Sequence, residues 1–187
     1  MKTPPTYLVL AALVTAAGIA YAQHHGAAPH AHAAGHPPQT SPYAGETGRE
    51  IKALSAEEQR AWLEGQGAGL ARAAELNGHP GPMHVLELAQ RLSLSVDQAR
   101  ESGELMHRHK TEVRALGEQL VATERELDGL FAGGKPADEA KASSLVERIG
   151  TLAGRIRVSH LRTHIQQTAL LTPEQVERYN QLRGYSR

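Results

Sequence analysis

The chain has 187 residues, with 20 basic and 20 acidic side chains and no cysteine. That balance argues against a nucleic-acid partner, which needs a basic face, and the lack of cysteine excludes disulfides and thiolate metal sites. One Trp, one Phe and five Tyr leave the core to aliphatic side chains. The abundance of Ala, Leu, Glu, Arg and Gln favours helix, and no alternating β-branched run reads as a strand. The expected fold class is all-α, with a thin core built from long helices.

In chain order, Lys2, the apolar run Tyr7–Ala20 and the small-x-small site Ala20-Tyr21-Ala22 are the three parts of a secretory signal peptide. Residues 1–22 are therefore expected to be removed, with the cut after Ala22 and the working protein outside the cytoplasm. The apolar run of about 14 residues is shorter than the ~20 that a spanning helix needs. No stable membrane insertion is expected after cleavage, and without a cysteine past the cut a bacterial lipoprotein is excluded. The remaining chain of about 165 residues suits one domain and carries a net charge near −1.

Residues 23–48 form a tail rich in Ala, His, Pro and Gly. It holds His24, His25, His30, His32 and His36, five of the eleven histidines. It has no hydrophobic period, so disorder is expected. Such a tract either binds divalent metal loosely or serves as a solvated linker.

Residues 49–187 read as a helical domain. Ser55 with Glu58 makes a capping box that opens a first helix, whose apolar face is Trp62 and Leu63. Gly65, Gly67 and Gly69 weaken or end it. Asn77–Pro82 is a run of breakers and must be a loop. A short helix is expected over about 83–92, a long one from Ser95 to about 132, and a break at Gly133-Gly134-Lys135-Pro136. A second long helix is expected over about 138–170 and a last short one over about 173–183. Two long helices joined by a short loop predict an antiparallel hairpin.

Two of the helix starts share one pattern, L-[S/T]-x-x-Q: Leu94, Ser95 and Gln98, then Leu171, Thr172 and Gln175. In each, Ser or Thr is the N-cap and Gln at the third helical position closes the box. Pro173 stands at the first helical position, where its missing N–H costs nothing. Good capping alone explains either copy.

At 3-4 spacing the first seam runs through Met106, His109, Val113, Leu116, Leu120, Leu127 and Leu130. The second runs through Leu145, Ile149, Leu152, Ile156, His160 and His164. Facing residues of an antiparallel pair have a constant number sum. Leu120 with Ile149, Leu116 with Leu152 and Val113 with Ile156 set that sum near 269. The same register sets His109 against His160 and Met106 against His164. Two readings stay open for this Met/His cluster. It half-fills a thin core and caps carbonyls, or Met106, His109, His160 and His164 together hold zinc, copper or nickel. His107 points away and is a weaker candidate.

The paired L-[S/T]-x-x-Q motifs on a signal-bearing helical chain resemble the Spy/CpxP family of periplasmic proteins. They are also similar to the related zinc-resistance-associated proteins and periplasmic heavy-metal sensors. The resemblance covers roughly residues 50–183. It implies a helical hairpin, often dimerised into a curved cradle, that binds unfolded or misfolded periplasmic proteins without ATP or restrains an envelope-stress sensor kinase. Some relatives bind metal through His and Met shortly before the second motif, the region of His160 and His164 here. Near Ser55 the chain departs from the pattern, because Glu58 takes the place of Gln and Gln59 follows one residue late.

No enzyme is expected. The sequence has no nucleophile elbow and no H-E-x-x-H, and no strand precedes Gly65, Gly67 and Gly69, so these do not form a nucleotide loop. The expected function is a periplasmic chaperone-like or stress-adaptor protein with no required cofactor, acting as a homodimer. The alternative is a metal-binding, sensing or resistance protein.

Overall fold

The computed structural model describes residues 40–134 and 136–185. The expected signal peptide and the histidines at 24, 25, 30, 32 and 36 lie outside the described residues. Of the expected tail, residues 40–48 are described; they carry a 3-10 turn at Ala44–Glu46 with nothing buried.

The described residues are predominantly helical, and they contain no strand beyond a lone bridge between Ile51 and Leu54. The fold class is all-α. The helices are α1 (Ala56–Glu64), α2 (Arg72–Glu75), α3 (Pro82–Glu87), α4 (Val96–Phe131), α5 (Glu139–Leu170) and α6 (Pro173–Arg183). No helix among the described residues is long and apolar enough to cross a membrane.

Local chemistry sets the ends of these helices. Ser55, Ser95 and Thr172 each accept the N–H of the third helical residue, whose own side chain reaches back to the cap N–H. These closed boxes satisfy donors that a helix start otherwise leaves unpaired. Asp138 caps α5 by accepting from Lys141 N. Gly65 closes α1 at φ 65, a left-handed conformation open to glycine without penalty. Gly133 and Gly134, both at positive φ, end the 3-10 turn after α4.

Two local expectations need correction. The helix expected over about 83–92 stops at Glu87. Residues 88–93 instead form tight turns, such as Ala89 N to Leu86 O, and Ser93 takes a positive φ of 51. The turns bring Leu88, Leu92 and Leu94 onto one cluster around Val85 and Tyr179, which a straight helix would not do. The other correction is Leu63, which is exposed, whereas Trp62 alone turns inward. The one-turn helix α2 was too short to leave a period in the sequence.

α4 and α5 pack along their lengths in opposite directions. Their contacts pair Ser102 with Gln167, His109 with His160 and Glu126 with Lys141, so one number rises as the other falls. Val113, Leu116, Leu120, Leu152 and Ile156 form the apolar centre, with Trp62 and Leu70 packed against it. The α4 seam, however, passes through Leu105, while Met106, Leu127 and Leu130 are only half-buried. Leu105 stands four residues before His109 and keeps the row that runs from Ser102 to Leu120. On α5, Ile149 and His164 are half-buried, and Ser159, Thr163 and Gln167 join the buried row.

α1 crosses α4 at Gly117. A Cβ there would stand 2.1 Å from the Trp62 carbonyl oxygen, so the crossing requires glycine. Trp62 also packs on a second cluster of Ile51, Leu54 and Val121, which ties the segment before α1 to α4.

Candidate functional site

The two L-[S/T]-x-x-Q motifs meet in space. Gln98 Nε2 donates to Gln175 Oε1 at 2.8 Å, and Gln175 Nε2 donates to Gln98 Oε1 at 3.0 Å. Each amide also reaches backbone beside the other motif: Gln98 Nε2 to Leu170 O at 2.8 Å, and Gln175 Nε2 to Leu92 O at 3.2 Å. Capping accounts for only part of what these glutamines do. They also clasp the start of α4 to the junction between α5 and α6, and so hold the end of the pair that carries the histidines.

About three turns further along the seam, a chain of hydrogen bonds fixes the protons of two buried imidazoles. Arg162 Nη2 and Ser159 Oγ both donate to Glu112 Oε2, at 2.5 and 2.7 Å. The Ser159 proton is thereby taken, so the 3.1 Å contact with His109 Nδ1 has His109 donating. His109 Nε2 then carries a lone pair, and at 3.1 Å it accepts from His160 Nδ1. His160 is left with its lone pair on Nε2, which is buried and has no partner. The order of donation also shows that Ser159 is not activated as a nucleophile, because His109 gives it a proton rather than taking one.

His164, one turn beyond His160, is set in the same sense. Its Nδ1 donates to the His79 carbonyl at 2.7 Å, and Glu75 Oε2 lies 3.5 Å from that nitrogen. Its lone pair is therefore on Nε2. Gly81 lies against this ring: a Cβ at Gly81 would be 2.7 Å from His164 Nε2. Glu75 is itself placed by Tyr179, whose hydroxyl donates to Oε1 at 2.5 Å. Burial first, and then Glu75, push the Tyr179 hydroxyl well above the ordinary tyrosine range, so it stays a donor.

Burial, then the neighbouring His109 and His164, lower His160 from 6.5 to about 4, and burial lowers His109 as well. Both imidazoles are neutral in neutral solution. Glu112 is held below the usual carboxylate range, chiefly by its bond from Arg162.

Met106, His109, His160 and His164 all line one cavity of about 960 Å³ bounded by residues of α2 to α6 and by the segment 64–69. They do not converge as four equal ligands. His109 has both nitrogens engaged, whereas His160 and His164 each keep one lone pair. No three His, Asp or Glu side chains gather as a metal-holding group among the described residues. His107 is exposed. Sequence reasoning missed Glu112, Ser159, Arg162, Glu75 and His79. The register that pairs His109 with His160 also brings Ser159 beside His109 and would have found it.

On the face of α5 opposite the seam stand two exposed apolar residues, Val158 and Ile165, 57 and 60% exposed, and Val146, 56% exposed, lies on the flank of the same helix. Gly150 and Gly154 lie between Val146 and Val158 with nothing within 4 Å of a Cβ. Arg148, Arg155 and Arg162 follow at heptad spacing along one side and Arg157 stands on the other, all exposed. No acidic residue occurs between Glu147 and Glu174.

Compared with known proteins, the chain matches no family model, no curated protein and no solved structure.

Proposed function

We infer that this is an exported, periplasmic, chaperone-like protein of the Spy/CpxP type that holds unfolded or misfolded segments without ATP. The observation that supports the reading is the exposed face of α5. Val146, Val158 and Ile165 offer small, separated apolar contacts, and Arg148, Arg155 and Arg157 offer charge on a stretch of α5 without acidic residues, while Arg162 is engaged by Glu112. Contacts of this size bind weakly, because each buried CH₂ contributes only about 0.8 kcal/mol. Weak binding at several points suits capture and release without fuel. In this reading α4 and α5 are the arms of the hairpin, and a second copy completes a dimeric cradle. The same surface would serve a stress adaptor that docks on a sensor kinase.

The test is aggregation of a reduced or heat-unfolded client followed by light scattering. An equimolar amount of the protein slows aggregation if the reading is right. Unchanged aggregation removes it.

A second reading, a protein that binds zinc, copper or nickel, is favoured by one specific observation. His160 and His164 stand one turn apart, and each has Nδ1 held by protein and Nε2 left as a lone pair. Metal-binding histidines are commonly oriented in this way, through a hydrogen bond at the other ring nitrogen.

A further inference from the structure

We propose that the cavity bounded by α2 to α6 is a binding site for a small amphiphilic carboxylate. Arg72, Lys110 and Arg114 hold its charged head, and Leu76, Met83 and Met106 cover its apolar chain. This goes beyond both readings above, because none of the exposed apolar residues of α5 lines the cavity.

The cavity is positive in a chain whose charges balance. Four cationic side chains, Arg72, Lys110, Arg114 and Arg183, line it against two carboxylates, Glu64 and Glu75. Both carboxylates are engaged. Glu64 Oε2 accepts from Gln66 Nε2 at 2.8 Å, and Glu75 accepts from Tyr179 and lies beside His164 and Arg183. Arg72, Lys110 and Arg114 pair with no acidic side chain among the described residues. Lys110 and Arg114 stand at i and i+4 on α4, where like charges repel. Charges of one sign in a cleft focus their field on whatever enters it, and the complement of these is an anion.

Two of the guanidiniums are held in place by backbone. Arg114 Nε donates to the Glu64 carbonyl at 3.4 Å, which leaves both Nη groups without a partner among the described residues. A Cβ on Gly69 would stand 3.1 Å from Arg72 Nη2, so the bare backbone at Gly69 makes room for that guanidinium. A guanidinium fork matches the two oxygens of a carboxylate.

Large apolar side chains are exposed at the same place. Leu76 and Met83 are 56 and 47% exposed and both line the cavity, as does the half-buried Met106. An inorganic anion would leave them in water, whereas an apolar chain attached to the anion covers them. Methionine is unbranched and adapts to chains of differing shape. The volume of about 960 Å³ lies within the ~300–1,000 Å³ typical of small-molecule sites.

The test is calorimetric titration of the full chain, in EDTA, with sodium decanoate below its micelle concentration. The expected result is one equivalent, bound at least about 10-fold more tightly than acetate, which lacks the chain, or decyltrimethylammonium, which reverses the head charge. Arg72→Gln with Arg114→Gln, both exposed, weakens decanoate by about 10-fold or more at an unchanged urea midpoint. Leu76→Asp, also exposed, weakens it as well. Val158→Glu with Ile165→Glu binds decanoate as the natural chain does. No binding, equal affinity for the ammonium compound, or unchanged affinity in the arginine variant overturns the proposal and leaves the chaperone-like reading standing. Loss of affinity in the Val158 and Ile165 variant also overturns it, because decanoate would then sit on α5.

Discussion

The side-chain amides of Gln98 and Gln175 donate to one another at 2.8 and 3.0 Å, joining two helix caps that lie 77 residues apart in sequence. Each oxygen also accepts its own cap N–H, from Ser95 at 3.0 Å and Thr172 at 2.9 Å. Removal of either amide strands the other and also exposes a backbone carbonyl. Gln98→Ala and Gln175→Ala should each cost about 1–3 kcal/mol, measured by urea unfolding. The double variant should cost less than the two singles together by at least about 0.5 kcal/mol. Additive effects would mean that the amides act only as separate caps.

The caps were legible in the sequence because a capping box is local: four residues specify it, and the Ser55, Ser95 and Thr172 boxes close as read. The long helices were legible from their period. The clasp between Gln98 and Gln175 was not, because nothing in either motif says what the far side of its amide meets. At the candidate site the register set His109 against His160, but proton positions depend on Ser159 and Glu112, whose side chains read as ordinary polar residues. Met106 and Leu105 are both apolar and adjacent, and only the crossing of the helices decides which one is buried.

Glycines at different places on the long helices should respond in opposite ways. Gly117→Ala drives a Cβ into the Trp62 carbonyl and should destabilise by about 1–3 kcal/mol. Gly150→Ala and Gly154→Ala meet nothing within 4 Å, and should stabilise by about 0.5–1 kcal/mol through helix propensity. Thermal unfolding of the three variants checks both signs. Equal effects would contradict the close α1–α4 crossing.

Stability should fall in mild acid. An unfolded histidine titrates near 6.5, whereas His160 in the fold is held at about 4 and His109 is lowered by burial. Glu112 opposes the lowering at His109, while Lys110, Arg162 and His164 add to it. Between 6.5 and about 4 the unfolded chain binds more protons, so stability is full above pH 6.5 and is lost as pH falls through that window. Glu112, whose carboxyl is lowered, extends the loss below pH 4.5. The urea midpoint should drop between pH 7.5 and 5, and His160→Gln should flatten the drop. A midpoint that holds constant across this range would contradict buried neutral imidazoles.

The exposed face of α5 should capture unfolded segments, which light scattering of an aggregating client reads out. The natural chain and the double variant Val158→Glu with Ile165→Glu are compared at equimolar ratio to client. Both side chains are more than half exposed, so folding stability should stay within about 0.5 kcal/mol of the natural chain for each change. The natural chain should suppress aggregation, and the folded double variant should lose most of that effect. Full suppression by the double variant, or none by the natural chain, would contradict it.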